Sequence, residues 1–221
     1  MTTNGQTRID QYVYCVDAGL SELNISIHTL DPTALGQLMS PPRSTRWGAD
    51  AIAAQLELCR VLAGRVTIKI NTCVGESEEQ PLRIYEFVRD LGLHWRIMKV
   101  LGRDEVSNAS MKRLCAILGA EAVSARLVKG TSSCSMSMRT REGFSFSTKL
   151  IRPFRLTTMC NGCPILSGGE CYEFAYGPRL ENAGGVLRVR NCIHRNGAPF
   201  VIPCKTFFDS PVALEVRGIV R

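Results

Sequence analysis

The sequence predicts an α/β protein with a parallel sheet, followed by a smaller β-rich region that carries a cysteine cluster. Over the first hundred residues, β-rich runs alternate with segments of ten to fifteen residues whose apolar side chains recur at helical spacing. After residue 104 the pattern changes to one helix and then several short strands. The last third contains Cys160, Cys163, Cys171 and Cys192.

The first half alternates regularly between the two kinds of segment. Helical spacing and end signals predict helices over residues 8–18, 49–63, 80–91 and 109–118, and another that begins at Asp31-Pro32, an N-cap with proline in the first turn. β-rich runs predict strands over residues 22–28, 66–74, 94–101, 122–128, 134–139 and 144–151. Residues 41–48 are expected to form a loop. Such alternation implies βαβ units, and we expect domains at 1–104 and 105–221.

Ligands of parallel sheets bind at the carboxyl ends of the strands. That rule selects Ser26, His28, Asn71, Thr72 and the stretch 99–103 as candidate site residues. Lys69, Asn71 and Cys73 share one face of their strand, because side chains alternate along a strand.

Composition limits the class of protein. The 221 residues are 45% hydrophobic, which suits a globular core, and contain no apolar run long enough to span a membrane. The first residues lack a signal-peptide pattern, so we expect a cytoplasmic protein in which the ten cysteines are ligands or core thiols rather than disulfides. The net charge of +7 is compatible with an anionic substrate, but the basic residues are too dispersed to favour nucleic-acid binding.

The cysteines of the last third have the spacing CxxC-x7-C-x20-C. A CxxC turn directs two sulfurs at one inorganic centre, and two later cysteines complete a zinc tetrahedron or an iron–sulfur cube. Spacing alone does not decide between the two. Cys15, Cys59 and Cys115 lie among apolar residues of predicted helices, so we interpret them as small core residues.

Several segments, in order, resemble the later part of a radical S-adenosylmethionine (SAM) enzyme. They are Thr2-Thr3-Asn4-Gly5, Leu23-Asn-Ile-Ser-Ile-His-Thr-Leu-Asp-Pro32, Lys69-Ile-Asn-Thr-Cys-Val74 and Arg96-Ile-Met-Lys-Val-Leu101. The resemblance places them at the third to sixth strands of that superfamily's barrel. It therefore implies a partial (β/α) barrel that lacks its first strands.

The molybdenum-cofactor GTP 3′,8-cyclase family is the branch that the C-terminal region resembles. Those enzymes hold an auxiliary [4Fe-4S] cluster on a CxxC and one further cysteine, which Cys160, Cys163 and Cys192 match. Arg179-Leu180 and Gly185-Val-Leu-Arg188 stand where the family has arginines that hold a purine nucleotide. The resemblance thus implies substrate contacts for Arg179 and Arg188.

Two departures from this pattern stand out. No CxxxCxxC motif, which binds the SAM-cleaving cluster, occurs among the ten cysteines. The chain is therefore expected to be the C-terminal part of a longer enzyme: a truncated gene, a product of a misassigned start codon, or half of a split protein. The second departure is Cys171, a fourth cysteine that could close the auxiliary cluster and so puts GTP as substrate in doubt.

The resemblance assigns roles within the barrel part. It implies that Ser26, Thr3 and Asn4 bind SAM. If the strand face that carries Lys69 and Asn71 points inward, Asn71 meets the cofactor and Lys69 an anionic group of the substrate; if that face points outward, Lys69 is solvated. His28 replaces an acidic residue and could act as a donor or an acid–base group.

The leading hypothesis is therefore the C-terminal portion of a radical SAM enzyme, inactive alone, that acts on a small-molecule or peptide substrate. A partner subunit would supply the N-terminal half. The alternatives are a non-catalytic metal-binding partner subunit and a zinc-stabilised binding module.

Overall fold

The computed structural model describes residues 1–100, 102–128, 133–151, 155–169, 171 and 177–218. Leu101, the end of one predicted strand, lies outside these residues. The chain divides into two compact units. The first comprises Met1–Ser124 and Met136–Lys149, and the second comprises Ala125–Ser135 and Leu150–Arg221.

The elements follow the predicted alternation. The helices are α1 (Ile9–Asp17), α2 (Pro32–Leu38), α3 (Thr45–Leu62), α4 (Glu79–Asp90), α5 (Asp104–Ile117), α6 (Thr157–Cys160), α7 (Pro164–Ser167), α8 (Cys204–Phe207) and α9 (Pro211–Arg217). The strands are β1 (Thr2–Thr3), β2 (Glu22–Ser26), β3 (Thr67–Val74), β4 (His94–Lys99), β5 (Glu121–Leu127), β6 (Ser133–Arg139), β7 (Ser145–Ile151), β8 (Arg179–Ala183), β9 (Val186–Arg190) and β10 (Val201–Pro203).

A seven-stranded sheet follows the order β1-β2-β3-β4-β7-β6-β5. β1 to β4 pair in parallel with their neighbours, and β7 pairs in parallel with β4. The predicted α/β class with a parallel sheet is confirmed. The predicted barrel is not, because the order of the described strands begins with β1 and ends with β5.

The first unit extends past residue 104, where we expected a domain boundary. β7 returns beside β4, so residues 136–149 belong to the first unit. The second unit takes Ala125–Ser135, which precedes these residues, and then everything from Leu150 onward. The compact units therefore divide the chain differently from the expected domains at 1–104 and 105–221.

Successive side chains of a strand point to opposite faces of the sheet. In β2 to β4 this alternation produces one apolar face and one polar face. On the apolar face, Leu23, Ile25, Ile70 and Ile97 are fully buried. On the opposite face, the register aligns Ser26 with Asn71, Asn71 with Arg96, and Arg96 with Ser147. We call these four residues the polar row: Ser26, Asn71, Arg96 and Ser147.

Local signals explain where the helices begin. Asp31 caps α2 as predicted, since its side chain accepts a hydrogen bond of 2.7 Å from the Ala34 N–H. Ser44 caps α3 in the same way, accepting from the Trp47 N–H at 3.2 Å. The helix therefore begins at Thr45, inside the loop predicted for residues 41–48. α5 likewise begins at Asp104, five residues earlier than predicted.

The second unit contains a three-stranded antiparallel sheet, ordered β10-β9-β8. It has its own apolar core, built from Leu156, Met159, Val189, Phe200, Ile202, Phe207, Val212 and Ala213. Cys160, Cys192 and Cys204 pack against that core. The cysteine region is thus supported by a separate core.

Of the three cysteines predicted to be core residues, Cys59 is fully buried, and burial raises its pKa to about 12. Cys15 and Cys115 are half-buried. Within the part of the chain that the structure describes, no helix is both long enough and apolar enough to cross a membrane.

Candidate metal centre

Cys160, Cys163, Cys171 and Cys192 line a single cavity in the second unit. Its volume is about 30 Å³. Cys160 is the last residue of α6, and Cys163 is the N-cap of α7. Cys171 follows α7, and Cys192 lies in the loop after β9. The structure therefore brings together the four residues that the sequence singled out.

A tight turn presents the first two sulfurs. α6 ends at Cys160, and the Cys163 N–H donates to the Cys160 carbonyl at 3.1 Å. Gly162 between them has a φ of 69°, a conformation that favours glycine. Pro164 then starts α7, with Cys163 at its N-cap.

Glu215 of α9 anchors the start of α6. Its carboxylate accepts hydrogen bonds from the backbone N–H and the hydroxyl of Thr157, at 2.5 and 2.7 Å, and from the same groups of Thr158, at 3.0 and 2.6 Å. A carboxylate at a helix N-terminus satisfies N–H groups that have no partner within the helix. The anchor lies three residues before Cys160 and so orients that ligand.

The surroundings of Cys163 favour its thiolate form. The backbone N–H of Leu166 lowers the pKa of Cys163, and the N–H of Ile165 and a hydrogen bond from Arg195 act in the same direction. Metal ligands must be thiolates, so these donors prepare Cys163 for ligation.

Cys160 experiences the opposite effect. Burial raises the pKa of its thiol, and the neighbouring Cys171, Cys163 and Cys192 raise it further. In the described residues, no three His, Cys, Asp or Glu side chains stand so that they could jointly hold one metal ion.

Arg190 fixes the loop that carries Cys192. It donates to the Cys192 carbonyl at 3.4 Å and to the Asn196 side chain at 2.9 Å, and it forms an ion pair with Glu181 at 2.6 Å. The hydrogen bond from Arg190 to the Cys192 carbonyl thus helps to hold the backbone of the loop that carries this candidate ligand.

Three other cavity residues were not predicted. Arg195 lines the cavity, and its guanidinium carbon lies 4.4 Å from the centre of the Phe200 ring. Asn191 is buried, and its Oδ1 has no hydrogen-bond partner among the described residues. Asn191 and Arg195 are close to Cys192 in the sequence, but no motif marked them, and Phe200 reaches the cavity through the pairing of β9 with β10.

Arg179 and Arg188, the predicted substrate contacts, lie on β8 and β9. Arg188 stands opposite Glu181 in the register. Among the described residues, the arginines that line the cysteine cavity are Arg155 and Arg195 instead. A substrate role for Arg179 and Arg188 stays a prediction.

Two of the predicted SAM-binding residues are Ser26, the last residue of β2, and Asn71, in the middle of β3. Ser26 and Asn71 are neighbours in the polar row. Asn71 is 7% exposed, yet its Oδ1 has no partner among the described residues. A buried carbonyl oxygen without a partner is costly unless a ligand supplies a donor. This oxygen fits a role in binding a polar cofactor.

Thr3 and Asn4 are engaged within the protein. The Thr3 hydroxyl bonds the Tyr12 hydroxyl at 2.6 Å and accepts from the Gly5 N–H at 3.1 Å. The Asn4 side chain bonds both the backbone and the side chain of Gln6. These hydrogen bonds give both polar side chains partners within the protein. A role of Thr3 and Asn4 in SAM binding stays a prediction.

Lys69 forms an ion pair with Glu22, at 3.2 Å. His28 is largely buried, which lowers its pKa, and its Nδ1 accepts a hydrogen bond from the Cys73 N–H at 3.1 Å. It is therefore neutral near pH 7. Thr72, also selected from the sequence, faces the apolar side, where it bonds Ile27 and Trp95.

Comparison with known proteins gives distant similarities to one kind of enzyme. No protein-family model matches the chain. It is 28% identical over 109 residues to a GTP 3′,8-cyclase of Rhodopseudomonas palustris (strain TIE-1), an alignment that covers 48% of this chain and 29% of the relative. It is 26% identical over 171 residues to a probable GTP 3′,8-cyclase of Methanothermobacter marburgensis, covering 75% of this chain and 54% of the relative.

The chain spans less than two thirds of the length of either relative. These alignments agree with the resemblance found in the motifs, and they reach only part of each enzyme. The chain is therefore distantly similar to the GTP 3′,8-cyclases, and this similarity supports the radical SAM superfamily rather than any one family within it.

Proposed function

We propose that this chain is the C-terminal portion of a radical SAM enzyme. In this proposal its first unit forms part of the cavity for SAM and substrate. Its second unit holds an auxiliary [4Fe-4S] cluster on Cys160, Cys163, Cys171 and Cys192. The observation that supports the proposal most is that these four cysteines line one cavity.

The donor set fits an iron–sulfur cluster. Four thiolates are its usual ligands, and the N–H groups of Ile165 and Leu166 with the guanidinium of Arg195 stabilise the Cys163 thiolate. The Glu215 anchor and the Arg190 contact hold the two ends of the ligand set, at Cys160 and Cys192. When bound, such a cluster would supply an electron-transfer centre.

The polar row would contribute to the SAM site. Asn71 Oδ1 can accept a hydrogen bond from the cofactor, and Ser26 lies beside it in the register. In the radical SAM superfamily, SAM supplies a carbon radical that removes a hydrogen atom from the substrate. The residues of this chain would orient both molecules and exclude water.

The substrate site is proposed to include Lys69, Arg179 and Arg188. Lys69 already forms an ion pair with Glu22, so an anionic group of the substrate that binds Lys69 must compete with the Glu22 carboxylate.

The motif that holds the SAM-cleaving cluster is absent from these 221 residues. We propose that a partner subunit or additional chain supplies it. The isolated chain should then release no 5′-deoxyadenosine from SAM under reducing conditions, and detection of that product would contradict this part of the proposal.

Anaerobic purification tests the cluster directly. Iron and acid-labile sulfide should approach four of each per chain, with a brown colour and an EPR signal after reduction. Cys163→Ser and Cys171→Ser should each lower the iron content. Cys204→Ser is the matched control, because Cys204 packs against the same core but does not line the cavity. A colourless protein with one tightly bound zinc would favour the zinc-stabilised module instead.

A further inference from the structure

Arg195 brings a positive charge to the wall of the cysteine cavity. It lines the cavity together with Cys163, and its central guanidinium carbon lies 4.4 Å from the centroid of the Phe200 ring. Phe200 is 7% exposed and belongs to the apolar core of the second unit. The cation is thus held against a buried ring at the wall of the cavity that the cysteines line.

Such an arrangement has an electrostatic consequence for any redox group in the cavity. A fixed positive charge attracts negative charge more strongly when it is partly removed from water. An iron–sulfur cluster gains one negative charge when it is reduced, and hydrogen bonds to its sulfurs stabilise that state. Arginine keeps its proton throughout, so the electron that enters the cluster needs no accompanying proton transfer from this residue.

We infer that Arg195 makes the auxiliary cluster easier to reduce, through its positive charge at the cavity wall and its fixed place over Phe200. This inference rests on the proposed function, because it concerns the cluster that the four cysteines would hold. The electron would come from a low-potential one-electron donor, which is oxidised as the cluster is reduced.

A redox titration monitored by EPR tests the inference on the reconstituted full chain with dithionite as reductant. In Arg195→Gln, the ratio of reduced to oxidised cluster at a fixed solution potential should fall at least tenfold. For a one-electron couple this equals a shift of about 59 mV to more negative potential.

Two variants separate charge from structure. Arg195→Lys keeps the positive charge and should stay closer to the wild-type potential than Arg195→Gln. Lys205→Gln removes one positive charge from an exposed position of the same unit that does not line the cavity, and it should leave the potential unchanged. Phe200→Leu removes the ring but not the charge, and it should shift the potential in the same direction by a smaller amount.

The outcomes are distinguishable from those that test the proposed function. A wild-type chain that assembles no iron–sulfur cluster overturns both. A wild type with a normal cluster, together with an Arg195→Gln variant of equal potential, overturns this inference alone. It is also overturned if Lys205→Gln or Arg195→Lys shifts the potential as far as Arg195→Gln does. If Arg195→Gln assembles too little cluster for titration, an unshifted Phe200→Leu variant contradicts the inference.

Discussion

Oε2 of Glu215 accepts hydrogen bonds from both the backbone N–H and the hydroxyl of Thr158, at 3.0 and 2.6 Å. This contact ties α9 to the start of α6, the helix that ends in the first candidate ligand. The C-terminal helix and the cysteine turn should therefore lose their structure together.

Glu215→Gln tests this coupling. The amide can accept fewer and weaker hydrogen bonds, and hydrogen bonds to a charged group contribute about 1.5–3 kcal/mol. Because the site is partly exposed, we expect a loss of about 1–2 kcal/mol in the free energy of unfolding of the second unit, measured by urea denaturation. Asp209→Asn, which neutralises an exposed carboxylate of the same unit, is the control and should have almost no effect.

The same carboxylate predicts a pH dependence. Burial raises the pKa of Glu215, but the hydrogen bonds from Thr158 and Thr157 outweigh burial and lower it overall. A lowered pKa stabilises the folded state above the pKa of the unfolded chain, about 4.3 for glutamate. The stability difference between the wild type and Glu215→Gln should therefore be full near neutral pH and shrink as the pH falls below that value. A difference that grows with acidification would contradict the assignment.

Gly48 is required by the packing of α3 on α2. A Cβ built there would lie 2.0 Å from the Pro32 carbonyl oxygen, so the two helices would have to separate. We expect Gly48→Ala to destabilise the first unit by at least about 1–3 kcal/mol, the usual cost of overpacking. Gly75→Ala is the matched control, because its Cβ would meet no atom within 4 Å. Equal unfolding midpoints for the two variants would show that α2 can move away.

Asn71 should show opposite effects on stability and binding. Its buried Oδ1 has no partner among the described residues, so Asn71→Leu should raise the free energy of unfolding by about 1 kcal/mol. We also expect SAM to raise the melting temperature of the wild type, and Asn71→Leu should abolish that rise. Asn24→Leu is the control on the same face. It loses a hydrogen bond of 2.9 Å to Glu22 and should gain no stability. An Asn71→Leu chain that SAM still stabilises would remove Asn71 from the cofactor site.

The parts of the fold that depend on local signals could be predicted from the sequence, and the parts that depend on tertiary contacts could not. The Asp31-Pro32 start of α2 was recognisable because cap and first turn are adjacent. The Ser44 cap was not, because the prolines before it indicated a loop. In the candidate site, spacing predicted the four cysteines. By contrast, Phe200 and Glu215 reach the cysteine region only through packing of the second unit, and the Glu22 partner of Lys69 depends on the β2–β3 register.

The cysteines of the metal-free chain should differ in reactivity. The Leu166 and Ile165 N–H groups and Arg195 lower the pKa of Cys163, whereas burial raises the pKa of Cys160. Because alkylation requires the thiolate, and each pKa unit changes its fraction about tenfold below the pKa, iodoacetamide should modify Cys163 well before Cys160 near pH 7. Peptide mass spectrometry over a time course measures this order.

Cys59 provides the internal control for that experiment. It is fully buried and its pKa is raised to about 12, so it should remain unmodified as long as the first unit is folded. Loading the chain with iron and sulfide should then protect Cys160, Cys163, Cys171 and Cys192 together, since a ligated sulfur is not a free nucleophile. Protection of three cysteines with Cys171 still reactive would mean an open cluster, whose fourth iron is left for substrate rather than closed by the chain.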